Sequence, residues 1–347
     1  LGNRLVDLLD PQAAIAVLST ESDQRRQVEA PNRRRALLFS LAESLYRSGD
    51  VVAARRLISE YGLRESPVIA LLQGDWEEAE KSLVRQREGA LTREHLADRV
   101  NANLSLAQVR SMRDDPSSLE LLTEAVSTAL SGPAKVLVMR SGPELAINLA
   151  LTGRADEAAP ILKKCREVAA EGEDWRGRAG RLALAEAAVA FADGDETMAE
   201  RHFAEALAVF ERYSLPWDTA GAYLMRGRLL ARLGRRNRPL AAASFDEALA
   251  IYKRLDAANV WTETATTWRA RSLGRTAVTG RVYPDRLSER EVEVLRLIAQ
   301  GRSNREISEA LVLSVRTVER HITNIYTKIG ARGKADATAY ALRHNLS

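Results

Sequence analysis

Glycine recurs through the body of the chain at a nearly fixed interval, and that period constrains the fold more than any other feature of the sequence. Gly74, Gly153, Gly194 and Gly234 are separated by 79, 41 and 40 residues, and Asp114-Asp115 falls midway through the long gap. One unit of about 40 residues therefore accounts for them all. The stretches between are rich in Ala and Leu and poor in β-branched residues, which reads as amphipathic helix punctuated by Gly or Gly-Asp. Few strands are expected. The same register returns after each glycine: Ala199, Phe203 and Ala206 after Gly194, Ala158, Leu162 and Cys165 after Gly153, and Ala54 and Ile58 after Gly49. Two extra residues follow Gly234 before Ala241, Phe245 and Ala248 restore the pattern.

Small residues where two helices cross let the backbones approach, while Phe or Leu one turn later fills the groove between neighbouring pairs. On that pattern Ala36 to Arg271 resembles tetratricopeptide-type helix pairs, lengthened from the usual 34 residues to about 40. Stacked pairs curve and leave a concave face, which would receive an effector or a protein partner. A plain spacer is the competing reading.

The 347 residues, 46% hydrophobic and 28% charged, are enough for two or three globular domains. A single cysteine, Cys165, rules out an intramolecular disulfide framework and points to a reducing cytoplasm. The most apolar run, Leu182 to Ala192, is too short for a bilayer and carries Glu186, and the N-terminal segment lacks the basic start and apolar core of a secretory signal. No membrane association is expected. The chain opens on Leu1, as a piece of something longer would. Cys165 takes the place of Ala206 and Ala248 in sister repeats, so it reads as a packing residue. His95 and His202 lack a second His or Cys at metal-ligand spacing. Gly177-Arg-Ala-Gly180 resembles a nucleotide loop by letter count alone, and the tryptophans, among them Trp76 and Trp217, read as packing. No acid, base, nucleophile or metal cluster converges, so neither an enzyme nor a cofactor is expected.

Positive charge is concentrated at the end of the chain. From Arg275 to Ser347 there are 13 Lys and Arg against 8 Asp and Glu, a net +5, whereas the remainder carries 38 against 39. A basic terminal module on a neutral body points to a polyanion, nucleic acid first. The all-α reading divides the chain into an array over 1–271, a linker over 272–286 that holds Gly274, Gly280 and Pro284, and a helical module over 287–347. In that module Ser288 with Glu291 and Ser303 with Glu306 are capping boxes. Val292, Leu295, Ile298 and Ala299 line one face of the first helix, and Ile307 and Leu311 are apolar in the second. Ser314 caps a third helix carrying Val318, Ile322, Ile325 and Ile329 and ending at Gly330. So short a turn between the second and third helices makes a helix-turn-helix. At 100° per residue the apolar stripe sets Arg316, Arg320, Thr323 and Thr327 on the opposite side, flanked by Glu319 and Asn324. These are groups that bond base edges and phosphates in a major groove. The fourth helix presents Ala337, Tyr340 and Ala341 to the module or to a twin.

The stretch Leu287 to Leu346, with LSEREVEVL, GRSNREIS and LVLSVRTVERHITNIYTKIG, resembles the LuxR-type DNA-binding domain. The resemblance implies that the helix from Val315 enters the major groove, that Thr317, Glu319, Arg320 and Thr323 read bases or backbone, and that the fourth helix dimerises. Ser303, Asn304, Ser314, Arg316, Asn324, Thr327 and Lys328 complete the candidate DNA-binding set, Lys328 as a phosphate contact. Glu319 stands where family members often carry Lys, and Ser308 where Ala is frequent. Joined to a repeat array, the module resembles the C-terminal part of the large ATP-binding LuxR regulators. Their phosphate loop is missing, since GARGKA at Gly330 to Ala335 lacks the glycine spacing and the closing Ser or Thr. The resemblance implies a transcriptional activator that binds double-stranded promoter DNA as a homodimer and contacts RNA polymerase. The rival class is an interaction scaffold whose terminal module docks protein.

Overall fold

The computed structural model describes residues 2–24, 31–63, 66–92, 95–172, 174–274, 285, 287, 289–311, 315–344 and 346. Among these there are helices and no strand, and the chain divides into two compact units, 1–275 and 276–347. The first unit opens with α1 (Gly2–Asp7), α2 (Pro11–Gln24), α3 (Pro31–Arg47), α4 (Val51–Tyr61), α5 (Pro67–Gln73), α6 (Trp76–Thr92) and α7 (Leu96–Met112). It continues with α8 (Ser117–Ser131), α9 (Lys135–Thr152), α10 (Ala159–Ala169), α11 (Gly177–Asp193) and α12 (Glu196–Arg212). Its last helices are α13 (Pro216–Arg232), α14 (Arg238–Arg254) and α15 (Asn259–Ser272). None of the described helices is long and apolar enough to cross a membrane.

The regularly spaced glycines share a backbone conformation. Gly49, Gly74, Gly153, Gly194 and Gly234 all have φ between 79° and 107°, the left-handed state that stops a helix at little cost only for glycine. At the place the period assigns to the missing glycine, Asp114 has φ 56°. The following aspartate then caps the next helix. Asp50, Asp75 and Asp195 accept the N–H of Ala53, Glu78 and Met198 at 3.0 to 3.2 Å, and Asp115 accepts that of Ser117 at 2.9 Å. Arg154 and Arg235 replace that aspartate in two repeats. With no side-chain acceptor there, the chain enters α10 and α14 through 3-10 turns, Ala155–Ala158 and Arg235–Asn237.

Packing within pairs follows the expected small-on-large pattern. A Cβ at Gly180 in α11 would come within 2.7 Å of Phe210 in α12, and one at Gly227 in α13 within 2.9 Å of Phe245 in α14. At Gly142 in α9 it would overlap the Sγ of Cys165 in α10. Cys165, Ala206 and Ala248 are all fully buried at their equivalent places. Burial pushes the Cys165 thiol up to about 12, as suits a packing group and not a nucleophile.

Early helices of the array meet middle and late ones across its inner face. Arg176 pairs with Asp10, Arg140 with Asp7, and Arg55 with Asp256. Trp76 meets Trp261 edge to face at 5.1 Å between ring centroids. Asp114 accepts from Arg228 at 2.9 Å, Arg271 at 2.8 Å and the indole of Trp268 at 3.1 Å. These contacts border a half-open cavity of about 250 Å³.

Candidate nucleic-acid interface

The second unit is built from α16 (Glu289–Ala299), α17 (Asn304–Ala310), α18 (Val315–Ile329) and α19 (Lys334–Arg343). Val292, Leu295 and Ile298 of α16, Ile307 of α17, and Val318, Ile322 and Ile325 of α18 form one buried core with Ala337, Tyr340 and Ala341 of α19. Ile329, Ala299 and Leu311 are partly buried against it, and Val294, which lies off the predicted stripe, is fully buried. Ser303 and Glu306 make the reciprocal capping box at the start of α17. The Ser303 N–H donates to Glu306 at 2.7 Å and the Glu306 N–H to the Ser303 hydroxyl at 3.3 Å. Those bonds to Ser303 hold the Glu306 carboxyl below its ordinary value. Ser288 of the other predicted box lies outside the described residues. Ser308 is buried and returns its hydroxyl to the Arg305 carbonyl at 2.7 Å, which lets it stand in an apolar place.

Helix α18 is strongly two-faced. Opposite its buried stripe, Glu319, Thr323, Asn324, Thr327 and Lys328 are exposed. Thr323 and Thr327 donate their hydroxyl protons back to the carbonyls of Glu319 and Thr323 at 3.0 and 2.9 Å, leaving their oxygens outward as acceptors. Ser303 is exposed and Asn304 half-buried at the start of α17. Arg316, Thr317 and Arg320 occupy backbone positions on α18, their side chains lying outside the description, and Ser314 lies outside it altogether.

Lys328 has a partner that no helical wheel reveals: its ammonium is 2.7 Å from the buried carboxylate of Glu291 on α16. The pair links α16 to α18 and leaves the Lys328 side chain 37% exposed. The choice left open for α19 also closes. Ala337, Tyr340 and Ala341 pack inward, and Tyr340 donates to Asp285 at 2.6 Å. Burial, and then Asp285, raise the Tyr340 hydroxyl above its ordinary value. The outward side of α19 bears Ala335, Ala339 and Leu342, the last 59% exposed.

Residues 285–341 match the sequence model of the bacterial regulatory proteins of the luxR family. Over 60 residues, 17% of this chain, the sequence is 52% identical to the oxygen regulatory protein NreC of Staphylococcus aureus strains JH9, JH1 and Mu3 / ATCC 700698. The chain spans 28% of the length of those relatives. The luxR model describes regulators, not enzymes, and the four-helix module at the end of this all-helical chain is a DNA-binding domain of the luxR type.

Proposed function

We propose that the chain is a sequence-specific transcriptional regulator, acting as an activator in the cytoplasm. The terminal module binds double-stranded promoter DNA with α18 in the major groove. Thr317, Glu319, Arg320 and Thr323 read bases, Asn324 and Thr327 border them, and Arg316, Ser303, Asn304 and Ser314 hold phosphates. Lys328, paired with Glu291, is left to fix the angle between α16 and α18. Two copies pair through the outward side of α19, where Ala335, Ala339 and Leu342 follow one another at helical spacing, and the DNA-bound pair contacts RNA polymerase. The helical pairs before the module, tetratricopeptide-like in their period, sense an effector or a partner.

The observation that supports this best is the coincidence of the luxR match with a helix that buries Val318, Ile322 and Ile325 in its own module and exposes Glu319, Thr323, Asn324 and Thr327. Selection of bound fragments from random or genomic duplexes with the full chain tests it. A recurring motif with twofold symmetry, retarded in gels at nanomolar protein, is expected. Recovery of unrelated sequences alone would refute sequence-specific binding and leave the module a protein-docking element.

A further inference from the structure

The half-open cavity of the array is lined by groups of two kinds. Trp217, Tyr252 and Trp261 pack together with ring centroids 5.5 to 5.8 Å apart. The others are arginines. Arg47, Arg140, Arg178, Arg181 and Arg228 all line the cavity, against two acids, Glu144 and Asp218. Four of the five have carboxylates: Arg47 has Glu43, Arg140 has Asp7, Arg181 has Glu144, and Arg228 has Asp114.

Arg178 is the exception. It is 8% exposed, its Nε donates at 2.7 Å to the Asp7 carbonyl, and no carboxylate among the described residues lies within ion-pair distance. Burial, reinforced by Arg140 and Arg47, pushes its guanidinium far below the ordinary value. Since a guanidinium stays protonated in proteins, that direction registers a buried charge that Asp218 and Glu144 offset only in part. The buried polar atoms left without a partner on cavity-lining residues are likewise all donors: Nε of Arg140 and the indole nitrogens of Trp217 and Trp261. A cavity whose lining combines unmet donors, an excess of cations and aromatic rings suits one kind of guest.

We propose that the cavity is a receptor site for a small organic anion. Its oxyanion group, a carboxylate or a phosphate, is held by Arg178 and Arg140, and its planar apolar body lies against Trp217, Tyr252 and Trp261. About 250 Å³ admits a metabolite-sized molecule and not a peptide. Charge-assisted, bidentate bonds give the arginines their selectivity for the oxyanion, and the rings supply the apolar contact area. This rests on reading the array as the sensing part of the regulator.

The test uses the full chain, followed by tryptophan fluorescence and thermal melting. The probes are benzoate, indole-3-acetate and phenyl phosphate, with benzyl alcohol and inorganic phosphate as controls that lack the charge or the body. At least one aromatic anion should bind saturably and raise the melting temperature, and each control should bind more weakly. Carboxylate against phosphate identifies the headgroup. Arg178→Met should weaken the bound anion by about ten- to a hundredfold, with Arg178→Lys between. A Cβ at Gly221, another lining position, would meet nothing within 4 Å, so Gly221→Leu should obstruct the site with every arginine retained. That variant carries the test if Arg178→Met fails to fold by circular dichroism. Benzyl alcohol binding as tightly as benzoate, unchanged affinity in Gly221→Leu or in folded Arg178→Met, or no binding of any of the three anions by about millimolar concentration would overturn the proposal. Gel retardation by the same protein reports separately on DNA binding, so a chain that shifts DNA but binds no anion refutes the cavity site alone.

Discussion

Replacing Gly142 by alanine places a methyl group where the structure has the Sγ of Cys165, with Ile161 Cγ1 at 3.1 Å and Cδ1 at 3.2 Å. Two effects compete. Alanine's advantage over glycine in a helix interior, about 1 kcal/mol, is reduced here because Pro143 follows and its ring crowds a Cβ at 142, while forcing a methyl into a filled core costs about 1 to 3 kcal/mol. The ends of Ile161 can yield a few tenths of an ångström. Cys165, fully buried in the middle of α10, has little room to do so. Gly142→Ala should therefore destabilise the array, by about 1 to 2 kcal/mol net. Cys165→Ala alone leaves a small void worth about 1 kcal/mol. Combined, the new methyl enters the space the sulfur left, so the double variant should be more stable than the sum of the singles by about 1 to 2 kcal/mol. Urea unfolding followed by tryptophan fluorescence reads this cleanly, because Trp76, Trp175, Trp217, Trp261 and Trp268 all belong to the first unit. Gly221→Ala, where a Cβ meets nothing, isolates the propensity gain. Additivity within about 0.5 kcal/mol would refute the packing argument.

The Cys165 thiol gives a pH signature. Its folded value near 12 exceeds the unfolded one of about 8.5, so the folded state keeps its proton longer. Stability should be undiminished by this group below about pH 8.5 and fall toward pH 12, and Cys165→Ala should flatten that decline. Asp114→Ala should destabilise the array by about 1 to 2 kcal/mol, discounted because the carboxylate is 42% exposed. Asp114→Gly, which relieves the left-handed backbone, should recover about 1 kcal/mol of that loss; equal melting of the two variants would contradict the backbone argument. Leu342→Asp should leave thermal stability unchanged and abolish pairing on DNA in sedimentation, and an intact dimer would remove α19 from that role. Arg320→Ala should relax preference at one base position at a cost of about 1 to 3 kcal/mol, read by binding to one preferred and one random duplex. Lys328→Ala should instead lower the melting temperature of the terminal module, and a flattened salt dependence without loss of stability would restore it as a phosphate contact.

Local chemistry explains what was legible. A left-handed residue followed by a capping aspartate is a short-range signal, so the period near 40 is visible without any knowledge of packing. The Ser303 and Glu306 box and the stripe of Val318, Ile322 and Ile325 are equally local, and the all-helical fold follows from them. Contact across the array was not legible. Trp76 and Trp261, or Asp7 and Arg140, meet across long stretches of sequence that no period of 40 specifies. The tryptophans were readable as packing residues, but not as part of a cavity lining. Arg140, Arg178 and Arg181 did leave a trace: each sits among Ala, Leu and Gly on a helix face where a solvated charge has no reason to be. Gly177-Arg-Ala-Gly180 is instructive in that respect. Its glycines serve close packing, Gly177 against Leu9 and Gly180 against Phe210, while the arginine between them turns to the cavity.

Where the sequence pattern breaks, a tertiary demand explains the exception. Any glycine at position 114 would satisfy the turn, as at 74, 153, 194 and 234, yet glycine has no carboxylate. Aspartate accepts a strained φ of 56° and in return binds Arg228, Arg271 and Trp268. Lys328 breaks a pattern in the same way: an exposed cation of α18 also answers a buried acid on α16. Both residues look generic in a one-dimensional reading, one a turn former and the other a surface charge. Their partners, Arg228 and Trp268 beside the cavity in one unit and Glu291 on α16 in the other, lie in the two geometries on which the proposed sensing and reading depend.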